Sequence, residues 1–158
     1  MRIQGSAGAA PIECVNPRKD KWRIRWDIRE KDGTAEYEEA EFDHRPTLDE
    51  VRVAILAWHN ARIDEAILAG FRWEETPVWL STENQFNYRA AFDLAIQTDG
   101  ANLPVVFKLG TDEKPVYREF TTIDDLKNFY TAAMAYVQNT LAAGWKAKDG
   151  IDFGRYQV

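Results

Sequence analysis

Residues Lys21–Glu30 alternate in character along their whole length, and that alternation constrains the fold more than any other feature of the chain. Trp22, Ile24, Trp26 and Ile28 fall on one side of an extended backbone, and Arg23, Arg25, Asp27 and Arg29 on the other. A helix would scatter both sets around its axis, whereas a strand sends successive side chains to opposite faces. The stretch is therefore predicted to be a half-buried antiparallel strand. Asp32-Gly33 follows as a hairpin turn signal, and a return strand is expected over Ala35–Phe42. It brings Glu36, Glu38, Glu39 and Glu41 opposite the arginines, where cross-strand ion pairs contribute roughly 0.2–1 kcal/mol each. The charged side of this ribbon is expected to be a solvated sheet face.

The flanking segments read less regularly. Residues 1–11 are small and loosely patterned, and are expected to be a flexible N-terminal arm. Ile12–Val15 reads as a short strand, and Asn16-Pro17-Arg18-Lys19-Asp20 as turn chemistry. After Pro46, a first helix is expected with Thr47 as N-cap and Glu50 completing a capping box. Leu48, Val51, Ile55 and Trp58 form its stripe, and Gly70-Phe71 ends it. Phe71–Leu80 reads as a connector with one or two short extended pieces, interrupted by Pro77. A second helix begins at Thr82, with Gln85 as capping-box partner and Ser81 as the alternative cap; its expected buried stripe is Phe86, Ala90, Ala91, Leu94 and Ala95. Strands are expected over Leu103–Leu109 and Pro115–Phe120. Thr122 then caps a third helix whose stripe is Leu126, Phe129, Tyr130, Ala133, Val137 and Leu141. Gly144 is expected to fray or end that helix, and Trp145 and Phe153 to anchor the tail. The order β-β-α, then α-β-β-α, lacks doubly wound alternation. It points to an α+β fold of antiparallel hairpins with three main helices packed on one side. The expected organisation is an arm over 1–11, a hairpin-plus-helix region over 12–70 and an α-β-β-α domain over 71–158, or one continuous unit.

Charge and composition narrow the function classes. The 158 residues carry a net charge of −6, distributed as +3 over residues 1–32, −7 over 33–80 and −2 over 81–158. No basic stripe is available for a phosphate backbone or an anionic lipid surface, so neither nucleic acid nor membrane is an expected partner. Cys14 is the single cysteine, and residues 1–10 lack the apolar core of a signal peptide, which points to assembly in the cytoplasm.

The residues needed for common covalent chemistry are thinly spread. His44 and His59 are the two histidines, and neither has another histidine three or four positions away. Ser6 and Ser81 are the only serines; the first lies in the expected arm and the second suits a cap. No glycine-rich phosphate loop occurs. Of the adjacent acid pairs, Glu38/Glu39 would face opposite sides of a strand, and Asp124/Asp125 suit a helix N-terminus. No catalytic residue, metal ligand or cofactor site is expected, and the protein reads as a non-enzyme. Six tryptophans remain to be explained. Trp22, Trp26 and Trp58 fall on core stripes. Trp73 and Trp79 lie in the connector and are the freer candidates for a binding surface.

The stretch Val78-Trp79-Leu80-Ser81-Thr82-Glu83-Asn84-Gln85-Phe86-Asn87-Tyr88 is distinctive. Together with Leu103-Pro104-Val105, the two later strands and the long last helix with Gly144-Trp145, it resembles a domain of unknown function of bacteriophages and of prophages in gut bacteria, over about residues 71–152. That domain commonly accompanies tail-fibre and tail-fibre-assembly genes. The resemblance implies a tail-associated protein, either a structural component or a fibre-assembly chaperone, that works by protein–protein binding. It implies a phage tail or tail-fibre partner and residence in the host cytoplasm during assembly or in the virion; a homo-oligomer is a further expected option. It carries no catalytic residues. The expected partner-contact residues are Trp73, Trp79, Asn84, Gln85 and Asn87. The alternative is a host-facing glycan-binding module of the tail tip, with the tryptophan faces stacking on sugar.

Overall fold

A computed structural model describes residues 1–157. The fold is α+β, and the chain divides into two compact units. One comprises Met1–His59 together with the chain from Lys148 onward, and the other is Asn60–Ala147. The boundaries differ from the expected break at 70/71 in two respects: the division falls between His59 and Asn60, and the residues from Lys148 onward belong to the first unit instead of completing the second.

The first unit is built on a four-stranded antiparallel sheet of β1 (Arg2–Ser6), β2 (Ile12–Asn16), β3 (Lys21–Lys31) and β4 (Thr34–Phe42), in the order β1-β4-β3-β2. The expected hairpin is its centre, with Asp32 and Gly33 both at positive φ (52° and 78°) in the turn. The expected flexible arm is instead largely ordered. Arg2–Ser6 pairs along β4 from Glu38 to Thr34 and covers that strand's open edge. The alternation of β3 is also broken. Asp27 sits at φ 48°, and the pairing with β4 shifts between Trp26 and Arg29, which marks a bulge. The Asp27 carboxylate accepts from Arg2 Nη1 at 2.7 Å and from Arg29 Nη2 at 3.0 Å.

The charged face is not simply solvated. Arg25 is only 7% exposed. Its Nε meets Glu39 at 2.9 Å, its Nη2 meets Glu13 at 2.8 Å, its Nη1 donates to the Ala10 carbonyl at 3.1 Å, and its guanidinium lies over the Tyr37 ring. Burial acts to lower its pKa, but the hydrogen bonds to Glu13 and Glu39 prevail and hold it above its ordinary value. A buried guanidinium is tolerable because its donors are met.

The opposite face carries the core of this unit: Ile12, Ile24, Trp26, Val51, Ile55 and Tyr156, flanked by Trp58 and Phe153. Val51 and Ile55 come from α1 (Leu48–Ala69), whose expected capping box is present. Thr47 N donates to Glu50 Oε2 at 2.8 Å, and Glu50 N to Thr47 Oγ1 at 3.2 Å. Tyr156, on a short 3-10 turn (Phe153–Tyr156), donates its hydroxyl to the Arg25 carbonyl at 2.7 Å, and burial raises its pKa.

The second unit holds the end of α1, a minimal hairpin of β5 (Arg72–Trp73) and β6 (Thr76–Pro77), helix α2 (Thr82–Gln97), the hairpin of β7 (Val105–Gly110) and β8 (Pro115–Phe120), and helix α3 (Ile123–Asp149). Its core centres on Phe129. The rings of Phe71, Trp73, Tyr88, Phe107 and Phe120 each lie with centroids 4.9–6.4 Å from that ring. The expected α3 stripe packs here, with Leu126, Phe129 and Ala133 fully buried. Thr122 caps the helix by accepting from Asp125 N at 3.1 Å.

Gly144 does not end α3. It lies inside the helix, where a Cβ would overlap Ile63 of α1, so glycine here permits close helix approach. Trp145 is half exposed and lies outside both core clusters, whereas Phe153 does pack as expected. Gly70 has a similar role to Gly144, since a Cβ there would overlap the Tyr136 hydroxyl, which donates to the Ala66 carbonyl at 2.5 Å.

Helix α2 departs most from expectation. Its cap is Ser81, whose Oγ accepts from Asn84 N at 3.1 Å, and not Thr82. Its buried positions are Tyr88 and Ala95, with Ala91 and Phe92 partly covered. Of the expected stripe, Phe86, Ala90 and Leu94 are exposed instead. Two interleaved apolar stripes were available on this helix. The one bearing two large aromatic rings, Tyr88 against Phe107 and Phe92 against Tyr130, faces inward.

Candidate functional site

The segment after β6 is pinned at alternate residues. Val78 N donates to the Phe71 carbonyl at 2.9 Å, and Leu80 N to the Leu68 carbonyl at 3.2 Å. Val78 and Leu80 are buried at 1% each. An extended backbone with both neighbours turned inward must turn Trp79 outward, and its indole is 53% exposed. The start of α2 fixes this segment from the other side. Asn84 Nδ2 donates to the Trp79 carbonyl at 2.7 Å, and Gln85 Nε2 donates to the Leu80 carbonyl at 2.9 Å. Trp79 is thus a large exposed ring on an immobilised backbone, which lowers the ordering cost of any contact it makes.

Trp79 and Asn84 line an open cleft of about 570 Å³, within the ~300–1,000 Å³ usual for ligand sites. Leu68, Pro77, Val78 and Leu109 supply apolar lining, and Lys108, Thr111 and Asp112 supply polar groups. The turn after β7 positions the polar set. Gly110, at φ 81°, brings its Cα against the Lys114 carbonyl, where no Cβ would fit. Thr111 N donates to that carbonyl at 3.2 Å, and Thr111 Oγ1 accepts from Lys114 N at 3.1 Å. Lys108 Nζ lies 4.0 Å from Asp112 Oδ1, both of them well exposed.

Of the five residues expected to contact a partner, the structure therefore brings Trp79 and Asn84 together. Gln85 stands beside them, but its amide is engaged as a backbone clamp. Asn87 is exposed on α2 and does not line the cleft. Trp73 is not a free surface residue: it packs edge-on against Phe129, and its Nε1 is buried. Lys108, Thr111 and Asp112 were not anticipated. Their signal was the Gly110-Thr111 pair between two strand patterns, which reads as a turn without revealing what the turn faces.

The cleft offers a stacking face, an amide, a hydroxyl and one charge of each sign, a set suited to non-covalent capture. Ser81 Oγ, the nearest hydroxyl in sequence, is taken up by the helix cap. His44 Nε2 lies 2.8 Å from Glu50 Oε1, and His59 lies edge-on to Trp58. Among the described residues no group of three or more His, Cys, Asp or Glu side chains is placed to hold a metal ion. Among the same residues, no helix is long and apolar enough to cross a membrane.

Residues 50–155 match the family model described as a domain of unknown function, DUF4376. No curated protein and no solved structure matches the chain.

Proposed function

We propose that this chain, which belongs to the DUF4376 family, is a non-enzymatic binding protein of a phage or prophage tail, a tail component or a fibre-assembly chaperone. The tail association is supported by the resemblance of residues 71–152 to phage and prophage proteins encoded beside tail-fibre genes. The binding mode is supported by one observation above the others, the half-exposed Trp79 ring held rigidly at the mouth of a cleft with Asn84. A buried aromatic anchor is the commonest source of interface energy, and here the anchor is presented before any partner arrives. The partner is a tail or tail-fibre polypeptide, met in the host cytoplasm during assembly.

The test is co-expression with the neighbouring tail gene. The two proteins are expected to co-purify, and Trp79→Ala is expected to weaken the complex by about 2 kcal/mol, roughly 30-fold. Failure of the unsubstituted protein to co-purify with any tail protein counts against the reading.

The polar groups around Trp79 favour a second reading, a glycan-binding module. Asn84, Thr111 and Asp112 are the side-chain types that pair with sugar hydroxyls beside a stacking ring. Glycan-array binding lost in Trp79→Ala supports it, and a blank array removes it.

A further inference from the structure

Helix α2 carries a second apolar stripe on a face away from the cleft. Glu83, Phe86, Ala90, Leu94 and Gln97 recur at intervals of three, four, four and three, share one side of the helix, and are all exposed. Phe86 is 73% exposed and Leu94 47%. Asn84, which lines the cleft, lies about 160° around the helix from Phe86 at ~100° per residue. The series reads the same outward in both directions from Ala90: apolar at four residues, polar at seven.

Such symmetry has a physical meaning. A two-fold axis through an antiparallel helix pair equates the two directions along each helix. With the axis at Ala90, Phe86 of one copy and Leu94 of the other stand at the same height, about 6 Å from the axis. The small Ala90 side chains meet at the centre and allow close approach. Glu83 stands level with the second copy's Gln97, a carboxylate beside an amide donor.

The charges on the flank agree. Arg89 and Asp93 form an ion pair within the helix at 3.5 Å. Both lie on the same edge of the stripe, and a two-fold axis keeps that edge facing its own copy. Arg89 of one chain then falls within about 3 Å, in axial position, of the second copy's Asp93, and the reverse pair forms as well, so two attractive pairs outweigh the single Arg89–Arg89 approach at the same axial distance.

We propose that the outward face of α2 is a self-association surface that pairs with α2 of a second copy, antiparallel and centred on Ala90. The occupant is a second copy because the size pattern is self-complementary about Ala90 and the Arg89/Asp93 pair is self-complementary about the adjacent position 91, ~1.5 Å along the helix axis. A single helix pair covers less than the ~800 Å² per partner of a standard interface, so the dimer is weak and reversible and fills as concentration rises. The pairing is independent of the cleft and of the tail reading.

Two measurements on the full chain test it. In sedimentation velocity from about 10 μM to about 1 mM, the protein is expected to shift from monomer toward dimer. Arg89→Asp or Asp93→Arg alone is expected to weaken association about 10-fold, and the double exchange to restore it. In a Cys14→Ser background, Ala90→Cys is expected to form an intermolecular disulfide under mild oxidation. Gln97→Cys is not, because the two copies of residue 97 lie about 21 Å apart. A monomer at every concentration overturns the proposal, whatever else binds this face. So does equal cross-linking at 90 and 97, or a double exchange no better than the single ones.

Discussion

Trp73 Nε1 is buried without a hydrogen-bond partner, a state that costs roughly 1–3 kcal/mol for a buried donor. Replacing Trp73 by Phe removes that donor but leaves a smaller ring and a partial void beside Phe129. The two effects oppose each other, so Trp73→Phe is expected within about 1 kcal/mol of the parent in urea unfolding, and Trp73→Ala about 3 kcal/mol below it. Trp79→Ala should leave the midpoint within about 0.5 kcal/mol, because its ring has little to lose on the folded side. A similar loss for Trp73→Ala and Trp79→Ala would contradict these assignments. At this scale the sequence distinguished the two tryptophans poorly. Both sit in an irregular connector, and periodicity assigns a face only where a regular element exists. What separates them is the pinning of Val78 and Leu80 to the carbonyls of Phe71 and Leu68, a pairing that no periodicity displays in so short a segment.

The elements with caps and one strong stripe were legible before the structure. The Asp32-Gly33 hairpin, the Thr47–Glu50 capping box and the α3 stripe stand as expected, since each rests on local geometry. Helix α2 was misread because two stripes of similar hydrophobicity compete on it, and only the cavity it meets selects between them. The N-terminal strand was missed because small residues carry little pattern and β1 is defined by its partner, β4. The capping box also yields a pH prediction. The backbone hydrogen bond from Thr47, followed by the side-chain contact with His44, holds the Glu50 carboxyl below the usual carboxylate range. A lowered folded pKa stabilises the fold above the unfolded value and ceases to do so as pH falls through the folded value. Thr47→Ala is expected to cost about 1 kcal/mol at neutral pH. Glu50→Gln can still accept from Thr47 N, but its unfolding midpoint should lack the parent's decline over the acid side of the carboxylate range. Parallel acid profiles for parent and Glu50→Gln would remove Glu50 as the cause.

At the scale of the whole chain, the first unit draws on both sides of the second in sequence. Residues from Lys148 onward supply Ile151, Phe153 and Tyr156 to the core that also contains Ile24 and Ile55. Tyr156→Phe keeps the ring and removes the donor to the Arg25 carbonyl. Its expected cost is about 1–2 kcal/mol, and the loss should appear in amide exchange at Ile24 and Trp26 while Phe129 and Ala133 keep their protection. Uniform loss across both sets would show that the two units do not respond separately. No sequence pattern could have revealed this closure, because so short a segment has too little length for a periodicity and its role lies in what it covers.

A ribosome making this chain finishes residues 60–147 before it makes the residues that close the first core. Synthesis proceeds at roughly 5–20 residues per second, so the second unit has all its parts several seconds after the sheet strands emerge, while Ile24 and Ile55 still wait for Tyr156. The nascent sheet is therefore the segment that spends longest unsealed, and a chaperone acting during translation would find its apolar face there.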